Sequence, residues 1–269
     1  MTTLLVARAG ATPLVIGAAR MVVGAAVLLA LARAAAPLRI DRADRWRCLA
    51  LGVCMAGYQA AYFSAVTMTG IAIAALISIC SAPLLIAVLA AVTLGERVTA
   101  RVAVALALGV AGIALLIVGP LTAADLSPRF LAGVGLALTA GLGYALYVVI
   151  AKATLARTAP LPQAGATFGV AALVLAPLLA GPDAARQIAL GWPWFLYLGA
   201  VTTAAAYAIY TIGLRDVPAS VAGIVSLLEP LTATLLGVAL FGERLGAAGA
   251  AGAVLLFAGL GVLLSRESA

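Results

Sequence analysis

The chain is cut into apolar runs of about 20 residues that carry almost no charge, and this leaves few folds open to it. Nine such runs stand at about 13–34, 48–67, 70–93, 101–120, 130–150, 163–180, 193–213, 218–241 and 246–265, punctuated by proline, glycine and charged residues. Of the 269 residues, 65% are hydrophobic and only 9% are charged, against roughly 25% charged in a soluble domain. Such a chain has too few charges to cover a water-exposed surface, so the lipid bilayer is its solvent. Every backbone polar group in the bilayer core must be paired inside the protein, which leaves helices and closed barrels. The runs are continuous rather than alternating, which argues against a barrel. The expectation is an all-α polytopic membrane protein with nine transmembrane helices, neighbours joined as antiparallel hairpins. The longest connections, Ala35–Arg47, Leu121–Arg129 and Gly181–Trp192, are too short to be soluble domains.

The segment 70–119 recurs 147 residues later: Pro83 matches Pro230, Gly95-Glu96-Arg97 matches Gly242-Glu243-Arg244, and Gly112 matches Gly259. An internal repeat in a chain this apolar points to a membrane transporter with a pseudo-two-fold. The two copies are 1–120 and 130–266. Extended backwards, the offset sets Pro13-Leu14 on Pro160-Leu161, but the span 130–150 would have its twin at about −17 to 3. The first copy therefore has four spans and the second five, so an inverted repeat of five-helix units is expected with its first helix missing and carried by a longer form. The run ending in Ala30-Leu31-Ala32 imitates a signal peptide; the repeat keeps it as a span.

Histidine is absent, and Cys48, Cys54 and Cys80 have no ligand-like pairing, so neither a metal centre, a cofactor nor a disulfide framework is expected. The net charge of +7 reflects basic residues in short loops, where membrane orientation explains them and no nucleic-acid partner is implied. One side receives Arg33, Arg39, Arg42, Arg45, Arg47, Arg97, Arg101, Lys152, Arg157, Arg215 and Arg266; the other receives Arg8, Arg129, Arg186 and Arg244. This bias predicts a cytoplasmic C-terminus in a plasma (inner) membrane. Trp46, Trp192 and Trp194 flank spans as interfacial anchors.

Glu229 sits near the middle of the span 218–241, where an ionised carboxylate costs on the order of 2.5–3.5 kcal/mol on insertion scales. It must pair, protonate or face a wet cavity, and a protonation cycle coupled to transport is open to it. Pro83 and Pro230 lie mid-span; each lacks a donor and frees the carbonyl four residues earlier, at Ile79 and Ser226. Two matched breaks at the midplane are what a repeat-built binding site would show, a packing kink being the plainer reading. Arg20 is the other charge within a span; it either snorkels to the interface or meets Glu229 or a substrate carboxylate. Tyr58/Tyr62, Tyr144/Tyr147 and Tyr207/Tyr210 are each spaced to share a helix face. With Gln59, Ser78, Ser81, Thr202, Thr203 and Ser226 they would line a polar cavity with aromatic walls; the alternative is an interfacial belt, which suits Tyr147 and Tyr210 best. Gly133, Gly135, Gly141 and Gly143 are read as close helix packing, and the two Gly-Glu-Arg segments as helix stops at the water boundary.

The repeated Pro…Gly-Glu-Arg segments, Ala-Ala-Arg at 18–20 and Leu-Leu-Glu-Pro at 227–230 resemble the EamA type of the drug/metabolite transporter superfamily, over almost the whole chain. The resemblance implies ten helices as two inverted five-helix repeats, a central cavity lined by both, and movement of amino acids and other small metabolites, often outward. The expected function is a metabolite transporter, an exporter of amino acids or related solutes, with the bilayer and a small-molecule substrate as partners. A multidrug or cation exporter of the same superfamily is the alternative. A sugar-phosphate carrier is disfavoured because only one basic residue lies within a span. A membrane enzyme is disfavoured because there is no histidine and no G-x-S-x-G.

Overall fold

The computed structural model describes residues 11–35, 40–117, 127–229, 232 and 247–264. Among these the chain is helical: α1 (Pro13–Ala35), α2 (Arg45–Thr69), α3 (Ile71–Leu94), α4 (Ala100–Ile117), α5 (Pro128–Thr154), α6 (Pro160–Leu175), α7 (Ala184–Gly199), α8 (Ala206–Asp216), α9 (Ala219–Val225) and α10 (Ala247–Leu264). Among the described residues six stretches are long and apolar enough to cross a membrane: Pro13–Ala35, Arg42–Thr69, Ile73–Leu94, Pro128–Thr154, Pro160–Leu179 and Ala184–Asp216. α4 and α10, of 18 residues each, reach about 27 Å at the rise of a helix.

Local chemistry sets several ends. Ser127 caps α5 by accepting the Phe130 N–H, with Pro128 in the first turn where its missing donor costs nothing. Gly95 stops α3 in the left-handed region at φ 68°, and the next residue donates back to Ala90 O at 3.2 Å, a glycine-terminated C-cap. The connection Ala35–Arg47 is partly helical: a 3₁₀ turn, Arg42–Asp44, leads straight into α2. The expected loop Gly181–Trp192 is mostly helix, because α7 starts at Ala184 and runs through Pro193. The span 193–213 is interrupted by a π-helical segment, Ala200–Ala205. There Thr202 and Thr203 both donate to Leu198 O, at 2.8 and 2.9 Å, so hydroxyls satisfy a carbonyl that the widened turn leaves over.

The offset of 147 reappears in the packing. α1 lies on α6 and α4 on α10, each helix against its own sequence twin. A methyl group at Gly112 would stand 2.7 Å from Gly252 O, and one at its twin Gly259 would stand 3.0 Å from Ala105 O; Ala105 is the twin of Gly252. Likewise Gly52 abuts Val170 and Thr167 O, while its twin Gly199 abuts Val23 and Arg20 O. Glycine is needed at these four places because two backbones approach too closely for any Cβ. Gly133, Gly141 and Gly143 make the close contacts read for them, but Gly135 faces open space.

α5 has no twin among the described residues. It seats on α2 and α3, covering Ala65 and Ser78, whose hydroxyl donates to Ala137 O at 2.9 Å. The twin positions of those two residues, Ile212 and Val225, are 49% and 40% exposed.

Of the two helix breaks expected, only the one at Pro83 falls among the described residues. α3 passes through Pro83 without interruption. In the second copy the α-helical course is interrupted after Val225 and resumes at Leu228, with Leu227 and Glu229 donating three residues back, to Ile224 and Ser226. Pro230 and the second Gly-Glu-Arg, 242–244, lie outside the described residues.

Candidate functional site

The tyrosines expected on three separate faces form one string. Tyr62 stacks on Tyr58 at 6.0 Å between centroids, Tyr58 meets Tyr144 at 5.5 Å, and Tyr144 meets Tyr147 at 6.0 Å. Tyr147 meets Tyr207 at 6.0 Å, and Tyr207 meets Tyr210 at 6.1 Å. Phe168 closes on Tyr207 at 4.6 Å. The string needs α2, α5 and α8 together, and α6 supplies the phenylalanine behind it. Centroid separations of 4.5–7 Å are those of favourable tilted and edge contacts. Tyr147 is 1% exposed, so it is a core residue and not part of an interfacial belt. The Tyr210 hydroxyl lies beside that of Tyr144, and the Thr211 hydroxyl beside that of Tyr147.

Two opposite charges act on this string. Arg20, on α1, and Glu229, just beyond α9, are both near enough to Tyr58 and Tyr62 to act on them electrostatically, and Arg20 also reaches Tyr207. Arg20 and Glu229 form no ion pair with each other, and among the described residues Arg20 pairs with no carboxylate. Among the described residues the Arg20 Nε is buried without a hydrogen-bond partner, which leaves one guanidinium donor unused by them. Glu229 is exposed on the protein surface.

Other residues expected in the cavity stand apart from the string. The Gln59 amide is 2% exposed and donates to the Met21 sulfur at 3.8 Å. Ser81 and Ser226 spend their hydroxyls within their own helices, on Ser78 O at 3.3 Å and Ala222 O at 3.0 Å. Sequence reasoning passed over Gln163 and Thr167, one helical turn apart on α6. Each is 1% exposed, and among the described residues Gln163 Oε1 and Thr167 Oγ1 have no hydrogen-bond partner. A signal was available, since Thr167 is the repeat's counterpart of Arg20. A cleft of about 560 Å³ opens elsewhere, lined by Lys152, Arg157 and Arg215 among others. Its cations are engaged: Lys152 with the carbonyls of Leu214 and Arg215, Arg157 with Asp44, and Arg215 with Asp216. No group of three or more metal-ligating side chains occurs among the described residues.

Repeated apolar helices, long enough to cross a bilayer and packed twin against twin, are those of a multi-pass membrane protein. Residues 1–118 and 131–265 each match the EamA-like transporter family. The chain is 36% identical over 255 residues, 94% of its length and 84% of the relative's, to the Uncharacterized transporter YwfM of Bacillus subtilis (strain 168). It is 35% identical over 72 residues, 27% of its length and 92% of the relative's, to the permease-like protein YdzE of the same organism. A crystal structure sharing 23% sequence identity superposes with a TM-score of 0.79, covering 98% of this chain and 92% of that one, which shows a common fold. The chain belongs to the EamA-like transporter family, within the drug/metabolite transporter superfamily. Its surroundings are the lipid bilayer and its substrate is a small molecule.

Proposed function

We propose that this transporter exports amino acids or closely related zwitterionic metabolites by alternating access, from the plasma (inner) membrane with its C-terminus in the cytoplasm. The observation that carries the reading is the pair Arg20 and Glu229, opposite in charge, unpaired with each other, and both acting on Tyr58 and Tyr62. An α-amino acid carries a carboxylate for the guanidinium and an ammonium for the carboxylate or a tyrosine face. Glu229 is also the group whose protonation would couple transport to the proton gradient. The test is efflux of a labelled amino-acid panel from cells, comparing the chain with Glu229→Gln and Arg20→Gln. Loss of efflux in both variants, with folded protein retained in the membrane, is the expected result. Unchanged efflux in Glu229→Gln at every pH removes Glu229 from the mechanism.

The second reading is a multidrug or cation exporter, favoured by the exposed Glu229 carboxylate beside aromatic rings. It separates cleanly from the first. A cationic substrate needs Glu229 and is indifferent to, or helped by, removal of Arg20, whereas a zwitterion needs both.

A further inference from the structure

Three helices of the second repeat, α5, α6 and α8, meet along a seam that leads inward from the cleft. On α6, Ala159, Gln163 and Thr167 follow one another at intervals of four; so do Arg215, Thr211 and Tyr207 on α8, and Leu155, Ala151 and Tyr147 on α5. That interval keeps each series on one helix face, and the three faces touch at every level. At the outer level Lys152 Nζ, next to Ala151, donates to the carbonyls of Leu214 and Arg215 at 3.0 and 2.9 Å. One turn in, Gln163 Nε2 donates to Ala151 O at 3.3 Å. The Thr211 hydroxyl lies beside that of Tyr147, and Phe168 closes on Tyr207 at 4.6 Å. Leu155, Ala159 and Arg215 belong to the wall of the cleft, at the end that the basic residues assign to the cytoplasm. Tyr147 and Tyr207 belong to the tyrosine string. The seam therefore runs from one to the other.

Inward of the cleft its polar groups are buried and short of partners. Gln163, Thr167 and Thr211 are each 1% exposed. Among the described residues Gln163 Oε1, Thr167 Oγ1, Thr211 Oγ1 and the Tyr210 hydroxyl have no hydrogen-bond partner. An unpaired polar atom at membrane depth is costly, because lipid cannot satisfy it. Four of them on two facing helices call for a shared ligand. Gln163 Oε1 only accepts, while the hydroxyls both accept and donate. Water answers both demands and is small enough for a place this buried. The seam has no copy in the first repeat. The counterpart of Gln163 is Ile16, 1% exposed in an apolar cluster with Phe195 and Leu198, so helix packing alone does not require polar groups there.

We propose that the seam between α5, α6 and α8 binds a file of water molecules that joins the cytoplasmic cleft to the tyrosine string. From Ala159 to Thr167 a helix climbs about 12 Å, the length of about four waters at the ~2.8 Å of an O–H···O contact. Gln163 holds the outer water and Thr167 the inner one, with Thr211 between them. The file lies inside one repeat, whereas alternating access opens the surface between the two repeats. Solvent thus reaches the tyrosine hydroxyls whether or not the repeats have parted, and an arriving solute displaces water there instead of entering a dry site. The inference goes beyond the exporter reading and does not depend on which solute is carried.

The measurement is pulsed X-ray hydroxyl-radical labelling of the full chain in lipid nanodiscs, read residue by residue by mass spectrometry. A bound water split by the pulse oxidises the side chain beside it, even one shielded from bulk solvent. Phe168, Tyr147 and Phe195 are 0%, 1% and 3% exposed, so bulk solvent reaches them alike; only the first two adjoin the seam. Phe168 and Tyr147 are expected to be labelled several-fold faster than Phe195. In Gln163→Leu/Thr167→Val protein their labelling should fall to the Phe195 level. Labelling of Phe168 and Tyr147 no faster than that of Phe195 in the unaltered chain overturns the proposal, with no variant needed. Fast labelling that persists in the double variant, with Phe195 unchanged, places the water elsewhere and overturns it as well. A rise at Phe195 marks a loosened bundle, and the single change Thr211→Val is then read by the same criterion. The labelling pattern found together with absent amino-acid efflux retains the water file and removes the exporter reading.

Discussion

Alanine at Gly199 is the perturbation that tests most directly whether the twin packing holds the site. Its methyl would press on the Val23 side chain and stand 3.1 Å from Arg20 O. Neither neighbour can step aside, since Val23 is β-branched and held to essentially one rotamer in a helix, and the oxygen belongs to the α1 backbone. α7 must therefore move off α1, and overpacking of this kind costs about 1–3 kcal/mol. The twin substitution Gly52→Ala meets Val170 and stands 2.9 Å from Thr167 O, so it should cost about the same. The two differ in consequence: Gly199→Ala displaces the turn that carries Arg20, and efflux per folded molecule should fall more than in Gly52→Ala. Gly112→Ala and Gly259→Ala, at the α4–α10 contact, should destabilise by a similar amount, about 1–3 kcal/mol, while leaving efflux per folded molecule unchanged. Gly135→Ala, with nothing within 4 Å, should be neutral or gain up to about 1 kcal/mol from helix propensity. The assay is unfolding in mixed detergent micelles followed by circular dichroism, paired with efflux normalised to folded protein. If Gly135→Ala costs as much as Gly52→Ala, or one member of a twin pair is neutral while the other is not, the close-approach argument fails.

Thr203→Val should cost about 1 kcal/mol for a buried hydrogen bond, because Thr202 still serves Leu198 O. Adding Thr202→Val should cost more than the sum of the two single changes, since the carbonyl then has no hydroxyl at all, and the same unfolding assay reads it.

The transmembrane character was legible because it follows from charge scarcity and run length alone, and the family from motif order within a repeat. Boundaries were less so. α7 begins at Ala184, well before the apolar span was drawn, because the Gly-Pro at 181–182 and the Pro at 193 both read as breakers while only the first ends a helix. The π segment was hidden because what accompanies it, two threonine hydroxyls converging on one carbonyl, is a matter of geometry that no residue pattern records. The tyrosine pairs were visible, but their union was not. Spacing of three or four fixes a face on one helix and says nothing of which helix that face meets. Glu96 shows the opposite failure. The Gly-Glu-Arg segment was recognised as a helix stop, and Gly95 does stop α3, but the glutamate's partners lie 123 and 124 residues away in the other repeat.

Symmetry and chemistry are divided between different residues. The glycines that set helix distances come in matched pairs, 52 with 199 and 112 with 259. The residues around the two charges do not: Arg20 faces Thr167 across the repeat, Glu229 faces Ala82, Tyr58 faces Ala205, Tyr62 faces Ile209 and Tyr207 faces Ala60. A two-fold scaffold gives a bundle two equivalent ways to open, which is what alternating access requires. A site that kept that symmetry would present the same group to both ends of its ligand. An amino acid has a carboxylate at one end and an ammonium at the other, so a matching site must break the two-fold, with a cation on one side and a carboxylate on the other. Changing the unmatched residues should therefore alter what is carried, and changing the matched glycines should alter how well the carrier holds together.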